Sequence, residues 1–332
     1  MLWGKLNFRI DCSFKNQKGE RGVKVIEKLK NEKIVSIEII PPKRGEDVEN
    51  IFSTLDRLMK YDISFINITR HPVEIDFIET DSGIVKIQKV KRPGTIGLTA
   101  ALMKRYNVDV VPHIICKGIS KFELEDTLID LSIMGVENVF VIRGEEVNSN
   151  QSTSDYRYAS ELVNQIAKMK DGEYLYTKAK PVDFCVGVAG YPEKHYEAPN
   201  LEQDLKFLKE KVDAGADFVI TQMVFDADVY KSFVNKCREI GVNVPIIPGV
   251  KPIVSKKSIY AIPKKFFVSI PQQFIERMEN CKTPKEEFDT GVRFTIELIE
   301  KLLKYGAPGV HIFTMGRGEE ACEVLKNVKN LK

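Results

Sequence analysis

The chain has 332 residues, of which 43% are hydrophobic and 29% charged, and its net charge is +3. That length and apolar content suit one large α/β domain or two small ones. Acids and bases are interspersed, which argues against a nucleic-acid protein with its bases gathered in a patch, and no apolar run approaches the roughly 18 residues of a membrane span.

Residues 1–20 are polar and lack the apolar core of a signal peptide. We expect residues 1–22 to be an irregular N-terminal extension and 23–332 to be a single domain. The six cysteines (Cys12, Cys116, Cys185, Cys237, Cys281, Cys322) form no Cys-x-x-Cys pair. They read as reduced thiols of a cytoplasmic protein.

In chain order, 23–31 reads as a short helix covering one end of the fold. Residues 35–40 form a strand that runs into Pro41-Pro42, which ends any sheet ladder. Alternation puts Ser36, Glu38 and Ile40 on one face and Val35, Ile37 and Ile39 on the other. Residues 46–61 repeat apolar side chains at helical spacing, and 64–69 is the next strand. The charged connection 70–94, with Pro72 and Pro93, is longer than most βα loops. It is expected to be a functional lid or a disordered tip.

The alternation then repeats. Residues 95–106 are helix, 108–116 strand and 120–134 helix, the last opened by a Ser120/Glu123 capping box and stopped by Gly135. Residues 138–143 are strand, 156–169 helix and 183–189 strand. Helix 200–214 has Asn200 as N-cap and Gly215 as stop. Strand 217–222, helix 228–240 and strand 244–248 follow. Helical pieces at 256–262 and 267–280 precede a long helix at 284–305, then strand 309–314 and helix 319–331. About eight near-continuous apolar strands alternating with helices make the repeat of a single-domain (β/α)8 TIM barrel. A doubly wound sheet would usually bring a Gly-x-Gly-x-x-Gly turn after its first strand, and none is present.

Barrel chemistry sits at the C-terminal strand ends. Polar residues cluster there: Glu38, Thr69, His113, Arg143-Gly144-Glu145, Tyr191 with His195, Gln222 and Arg317. Glu38 has two readings from its strand alone. It can be an edge residue facing water, or a carboxyl whose isoleucine surroundings raise its pKa and make it a general acid. His113 can equally be a satisfied core histidine. A zinc site from His113 and Cys116 lacks a second ligand pair, so no metal is expected. A Schiff-base aldolase on the same barrel would need a lysine in the mouth, for which Lys251 is the nearest candidate.

The ordered set of segments resembles the methylenetetrahydrofolate reductase family. They are Ser36-Ile-Glu-Ile-Ile-Pro-Pro42, Val111-Pro-His-Ile114, Val141-Ile-Arg-Gly-Glu145, Tyr158-Ala-Ser160, Gly190-Tyr-Pro-Glu-Lys-His195, Lys211-Val-Asp-Ala-Gly-Ala216, Ile220-Thr-Gln222 and Ile246-Ile-Pro-Gly249. The resemblance implies an FAD barrel of one-carbon metabolism and methionine biosynthesis. Such a barrel reduces 5,10-methylenetetrahydrofolate to 5-methyltetrahydrofolate with NADH or NADPH, by a ping-pong hydride relay. It implies Glu38 as general acid and Gln222 as holder of the pterin. Glu145, where the family usually has Asp, falls beside the flavin and the folate, and Arg317 at the folate tail. It assigns Thr69, His113, Arg143, Gly144, Glu145, Tyr158, Ala159, Tyr191, His195, Asp204 and Lys211 to FAD.

Asp204 and Lys211 share a helix face, where an ordinary solvated pair would look the same. Arg70, Phe207 and Ile262 depart from the common pattern: an aromatic, a polar flavin contact and a Phe are usual at those three positions. A C-terminal domain binding S-adenosylmethionine, carried by larger members, is not expected in a chain of this length. The expected assembly is a homo-oligomer in the cytoplasm. The alternative role is a flavin-bearing subunit of a larger electron-transfer complex.

Overall fold

The computed structural model describes residues 22–90, 92–144, 155–316 and 318–328. Helix α1 (Val25–Asn31) precedes strand β1 (Ile34–Ile39), helix α2 (Glu49–Leu58) and strand β2 (Phe65–Ile68). Strands β3 (Val73–Thr80) and β4 (Gly83–Val90) follow, then α3 (Thr95–Tyr106), β5 (Asp109–Ile115), α4 (Lys121–Ile133), β6 (Asn138–Ile142), α5 (Ala159–Lys170), β7 (Cys185–Gly190) and α6 (Leu201–Asp213). The chain continues through β8 (Phe218–Met223), α7 (Ala227–Glu239), β9 (Ile246–Val250), α8 (Lys256–Phe266), α9 (Gln272–Glu279), α10 (Pro284–Lys304), β10 (Gly309–Phe313) and α11 (Glu319–Asn327).

Eight strands close into one parallel barrel in the order β1-β10-β9-β8-β7-β6-β5-β2. This is the (β/α)8 architecture that the sequence periodicity implies. Val35, Ile37 and Ile39 pack outward in the shell between strands and helices. Ile34, Phe65, Val111, Phe140, Cys185, Phe218 and Ile247 fill the barrel interior. That interior is tight at Gly187, which pairs with Phe140 on one side and Phe218 on the other. A Cβ there would lie 2.4 Å from the Phe218 ring, so only glycine fits.

Helix α1 closes the N-terminal end as expected. Val25, Ile26 and Leu29 pack against the interior cluster, and the Val25 N–H donates to Asn138 Oδ1 at 2.8 Å. The capping box forms, with the Glu123 N–H donating to Ser120 Oγ and Glu123 accepting from the Ser120 N–H. Asn200 accepts from the Gln203 N–H at 2.9 Å.

The connection 70–94 holds ordered structure rather than a disordered tip. It is an antiparallel hairpin in which Thr80 pairs with Gly83. Thr80 Oγ1 donates to the Gly83 carbonyl, and Gly83 takes φ +118°. The apolar residues of this ribbon are split between its two faces. Phe77 is 64% exposed and Ile84 75% exposed. No core pulls one face inward, so the segment lacks the burial-driven pattern that marks a strand. Among the described residues no helix is long and apolar enough to cross a membrane.

Candidate active site

Glu38 points into the barrel mouth. In the strand register it lies between Asn67 of β2 and Phe313 of β10. Its side chain is 13% exposed, and its Oε2 is 3.8 Å from His113 Nε2. Burial pushes its pKa up to about 8. The solvated-edge reading of Glu38 therefore falls.

Two histidines lie below it. Asn67 Nδ2 is 3.1 Å from His113 Nε2. With the amide donating, the ring proton sits on Nδ1. Ser36 Oγ is 2.9 Å from His311 Nδ1. Burial pushes both histidines down to about 3, with His71 adding to the effect on His113 and His113 adding to that on His311. Both rings are neutral at physiological pH, and so is the carboxyl above them. The floor of the mouth is polar but uncharged. His113 is a buried residue, hydrogen-bonded through Nε2, that also lines the cleft.

The cleft above has about 370 Å³ of internal room. Glu38, Thr69, His113, Arg143, Gly144, Tyr191, His195 and Gln222 all line it. The sequence expectations for these eight therefore converge in space. Among the described residues that line the cleft, the buried atoms Asn67 Oδ1, Thr69 Oγ1, Arg70 Nη1 and His113 Nδ1 meet no hydrogen-bond partner. Buried polar groups are normally hydrogen-bonded, so a mixed set of unspent donors and acceptors points to a polar ligand.

Asp204 and Lys211 stand behind the wall and do not line the cleft. Asp204 Oδ2 accepts the His195 N–H at 2.9 Å, and Lys211 Nζ donates to the Ala189 carbonyl at 2.6 Å. Burial raises the Asp204 carboxyl, and burial lowers Lys211 to about 8 against the pull of Asp204. They are not a solvated surface pair. Arg143 grips Glu197 with both terminal nitrogens at 2.6 Å. Tyr191 packs edge-on against His195 at 4.7 Å. Tyr158 and Ala159 sit at the start of α5, outside the cleft lining. Glu145 and Arg317 lie outside the described residues.

Ile262 is buried in a cluster beneath α8, while Phe266 and Phe267 at the end of that helix reach the cleft. Phe267 stacks on Tyr196 at the rim, centroids 5.0 Å apart. Lys251 does not line the cleft. It is buried against Glu320 at 3.1 Å, so the lysine named for the aldolase reading is not in the mouth. Asn67, His311 and Lys194 were not foreseen. An Asn inside the apolar run Phe65–Ile68 was the available signal. Among the described residues no cluster of His, Cys, Asp and Glu could hold a metal ion.

Fold and site together define a (β/α)8 barrel with an acidic group and an unsatisfied polar set at the mouth. The sequence profile of methylenetetrahydrofolate reductase matches residues 23–329, and the chain belongs to that family. It is 31% identical over 311 residues to a probable methylenetetrahydrofolate reductase (NADPH) of Caenorhabditis elegans, covering 91% of this chain and 43% of that protein. It is 30% identical over 329 residues to methylenetetrahydrofolate reductase (NADH) 1 of Arabidopsis thaliana, covering 92% and 51%. The chain thus spans about half the length of these relatives. It is 27% identical to 5,10-methylenetetrahydrofolate reductase of Escherichia coli, covering 86% of this chain and 87% of that one. Among solved structures, an uncharacterized Clostridium thermocellum protein, described as binding two copies of 5-methyl-5,6,7,8-tetrahydrofolic acid, shares the fold. Its TM-score is 0.56 at 17% identity, covering 90% and 96%.

Proposed function

We propose that this chain reduces 5,10-methylenetetrahydrofolate to 5-methyltetrahydrofolate, with FAD as resident carrier and NADH or NADPH as donor. The observation that carries the proposal is Glu38, a carboxyl inside the barrel mouth with a pKa pushed up to about 8. It can hold a proton at neutral pH and release it to a substrate nitrogen, a step typically worth ~10²–10⁴-fold.

The residues present fit a flavin. The unspent atoms of Asn67, Thr69, Arg70 and His113 suit the polar edge of a planar ring. Arg143, Tyr191 and His195, braced by Asp204 and Lys211, suit the rest of the dinucleotide, with Gly144, Tyr158 and Ala159 completing the assigned set. When bound, FAD supplies a two-electron hydride store. Glu38 delivers its proton to the bridge nitrogen that leaves, opening the ring to an iminium. The carboxylate that results steadies that cation. Gln222 orients the pterin, and its Oε1 already accepts the Met223 N–H. By family resemblance, Glu145 adds negative charge beside both rings and Arg317 holds the tail carboxylate.

The test is an absorption spectrum of the purified protein, followed by anaerobic NADH or NADPH and then methylenetetrahydrofolate. The expected result is a yellow protein, bleached by the nicotinamide and recoloured by the folate. Protein that takes up no FAD overturns the proposal. Yellow protein inert with both nicotinamides moves the assignment to a flavin-bearing subunit of a larger complex.

A further inference from the structure

Arg70 follows Thr69 where β2 opens into the cleft. Its Nη1 is buried and meets no partner. Burial lowers its pKa, opposed only by the charge of Glu123. Among the described residues no carboxylate forms an ion pair with it. A buried guanidinium without a counter-ion is costly, and the cost persists only where something returns it.

Other unpartnered atoms of the same cleft say what that is. Asn67 Oδ1 is an unspent acceptor, His113 Nδ1 an unspent ring nitrogen, and Thr69 Oγ1 can play either part. A phosphate offers acceptors alone and would leave Asn67 Oδ1 against an anion. An imide edge presents carbonyl, N–H and carbonyl in a row and matches the mixed set. Donors suited to phosphate, Arg143 and Lys194, line the cleft further round the barrel, after β6 and β7.

We propose that Arg70 faces the pyrimidine edge of the flavin and that its charge favours the reduced ring over the oxidised one. This rests on reading the cleft as a flavin site. Hydride from the reduced nicotinamide brings two electrons and one proton to N5, so the ring gains one negative charge, shared by N1 and O2. A guanidinium at that edge stabilises this charge and does little for the neutral oxidised ring. A chain with an aromatic residue at position 70 has no such cation.

The test compares wild type, Arg70→Met and Arg70→Lys. Three quantities are read: the midpoint potential of bound FAD, the affinity for sulfite (which adds at N5 and likewise charges N1), and the melting temperature of the FAD-free protein. Arg70→Met is expected to lose about tenfold or more of its preference for reduced FAD, a potential lower by about 30 mV. Its sulfite adduct should weaken by a similar factor. Its FAD-free form should melt higher, because an unpaired buried cation is gone. Arg70→Lys should keep most of the potential. Unchanged potential and sulfite affinity in Arg70→Met overturn the proposal. So does a lower FAD-free melting temperature, the mark of a merely structural arginine. Weaker binding of oxidised FAD at an unchanged potential puts the charge on a phosphate and overturns it too. Wild-type protein that takes up no FAD overturns the proposed function and this inference together. FAD-loaded protein indifferent to position 70 overturns this inference alone.

Discussion

The Glu38 carboxyl is 3.8 Å from His113 Nε2, too far for a hydrogen bond. Desolvation alone therefore raises its pKa from 4.5 to about 8. The folded chain keeps this proton up to about pH 8, whereas the unfolded chain releases it near 4.5. Protons are then bound more tightly by the native state, so stability falls as pH rises through that window. Glu38→Gln removes the penalty. Calorimetry should show the variant melting several degrees above wild type at pH 8 and level with it at pH 4. The same variant should lose folate reduction while flavin reduction by the nicotinamide persists. Loss of both half-reactions in a folded, flavin-loaded variant would falsify the acid role. The two-residue period assigned Glu38 a face but left open whether that face met water; the cluster of polar strand ends and the family resemblance pointed it into the mouth. Asn67 and His311 were not legible, because their partners sit across strand pairs. Asn67 meets His113 from β2 to β5, and His311 meets Ser36 from β10 to β1. Those meetings exist only once the barrel closes.

Strands and helices announced themselves where burial dictates a period, and their ends shifted by a few residues where caps or Pro set the stop. The hairpin β3–β4 was illegible for the opposite reason: Phe77 and Ile78 leave apolar side chains exposed on both faces. Helix α11 was visible as a helix, but its anchor was not. Lys251 at the end of β9 and Glu320 in the first turn of α11 are 3.1 Å apart, with side chains 9% and 5% exposed. A buried pair of this kind adds little over an apolar pair, yet removing one member typically costs ~3–5 kcal/mol. Glu320→Ala should therefore destabilise the protein by about that much in denaturant unfolding. Lys251→Met with Glu320→Leu should recover most of the loss. A double variant as unstable as the single one would mean that α11 is held by something other than this pair.

Closing eight strands into one ring gathers every βα loop at one end, which is why residues from Glu38 to Gln222 meet in a single cleft although 184 positions separate them (222 − 38). The βα repeat made that convergence foreseeable; the volume it encloses was not, since it depends on which side chains point inward. A neighbouring cavity, lined by Val224, Phe225 and Pro271, has only about 110 Å³. Ligand sites for molecules of drug size run from about 300 to 1,000 Å³. At that size the smaller cavity is no second ligand site of ordinary dimensions. On the function proposed above, donor and acceptor use the same cleft in turn, the first leaving before the second enters. Steady-state rates measured against NADH or NADPH at several fixed folate concentrations should give parallel double-reciprocal lines, the mark of a ping-pong sequence. Intersecting lines would require a ternary complex and would overturn the sequential use of one cleft.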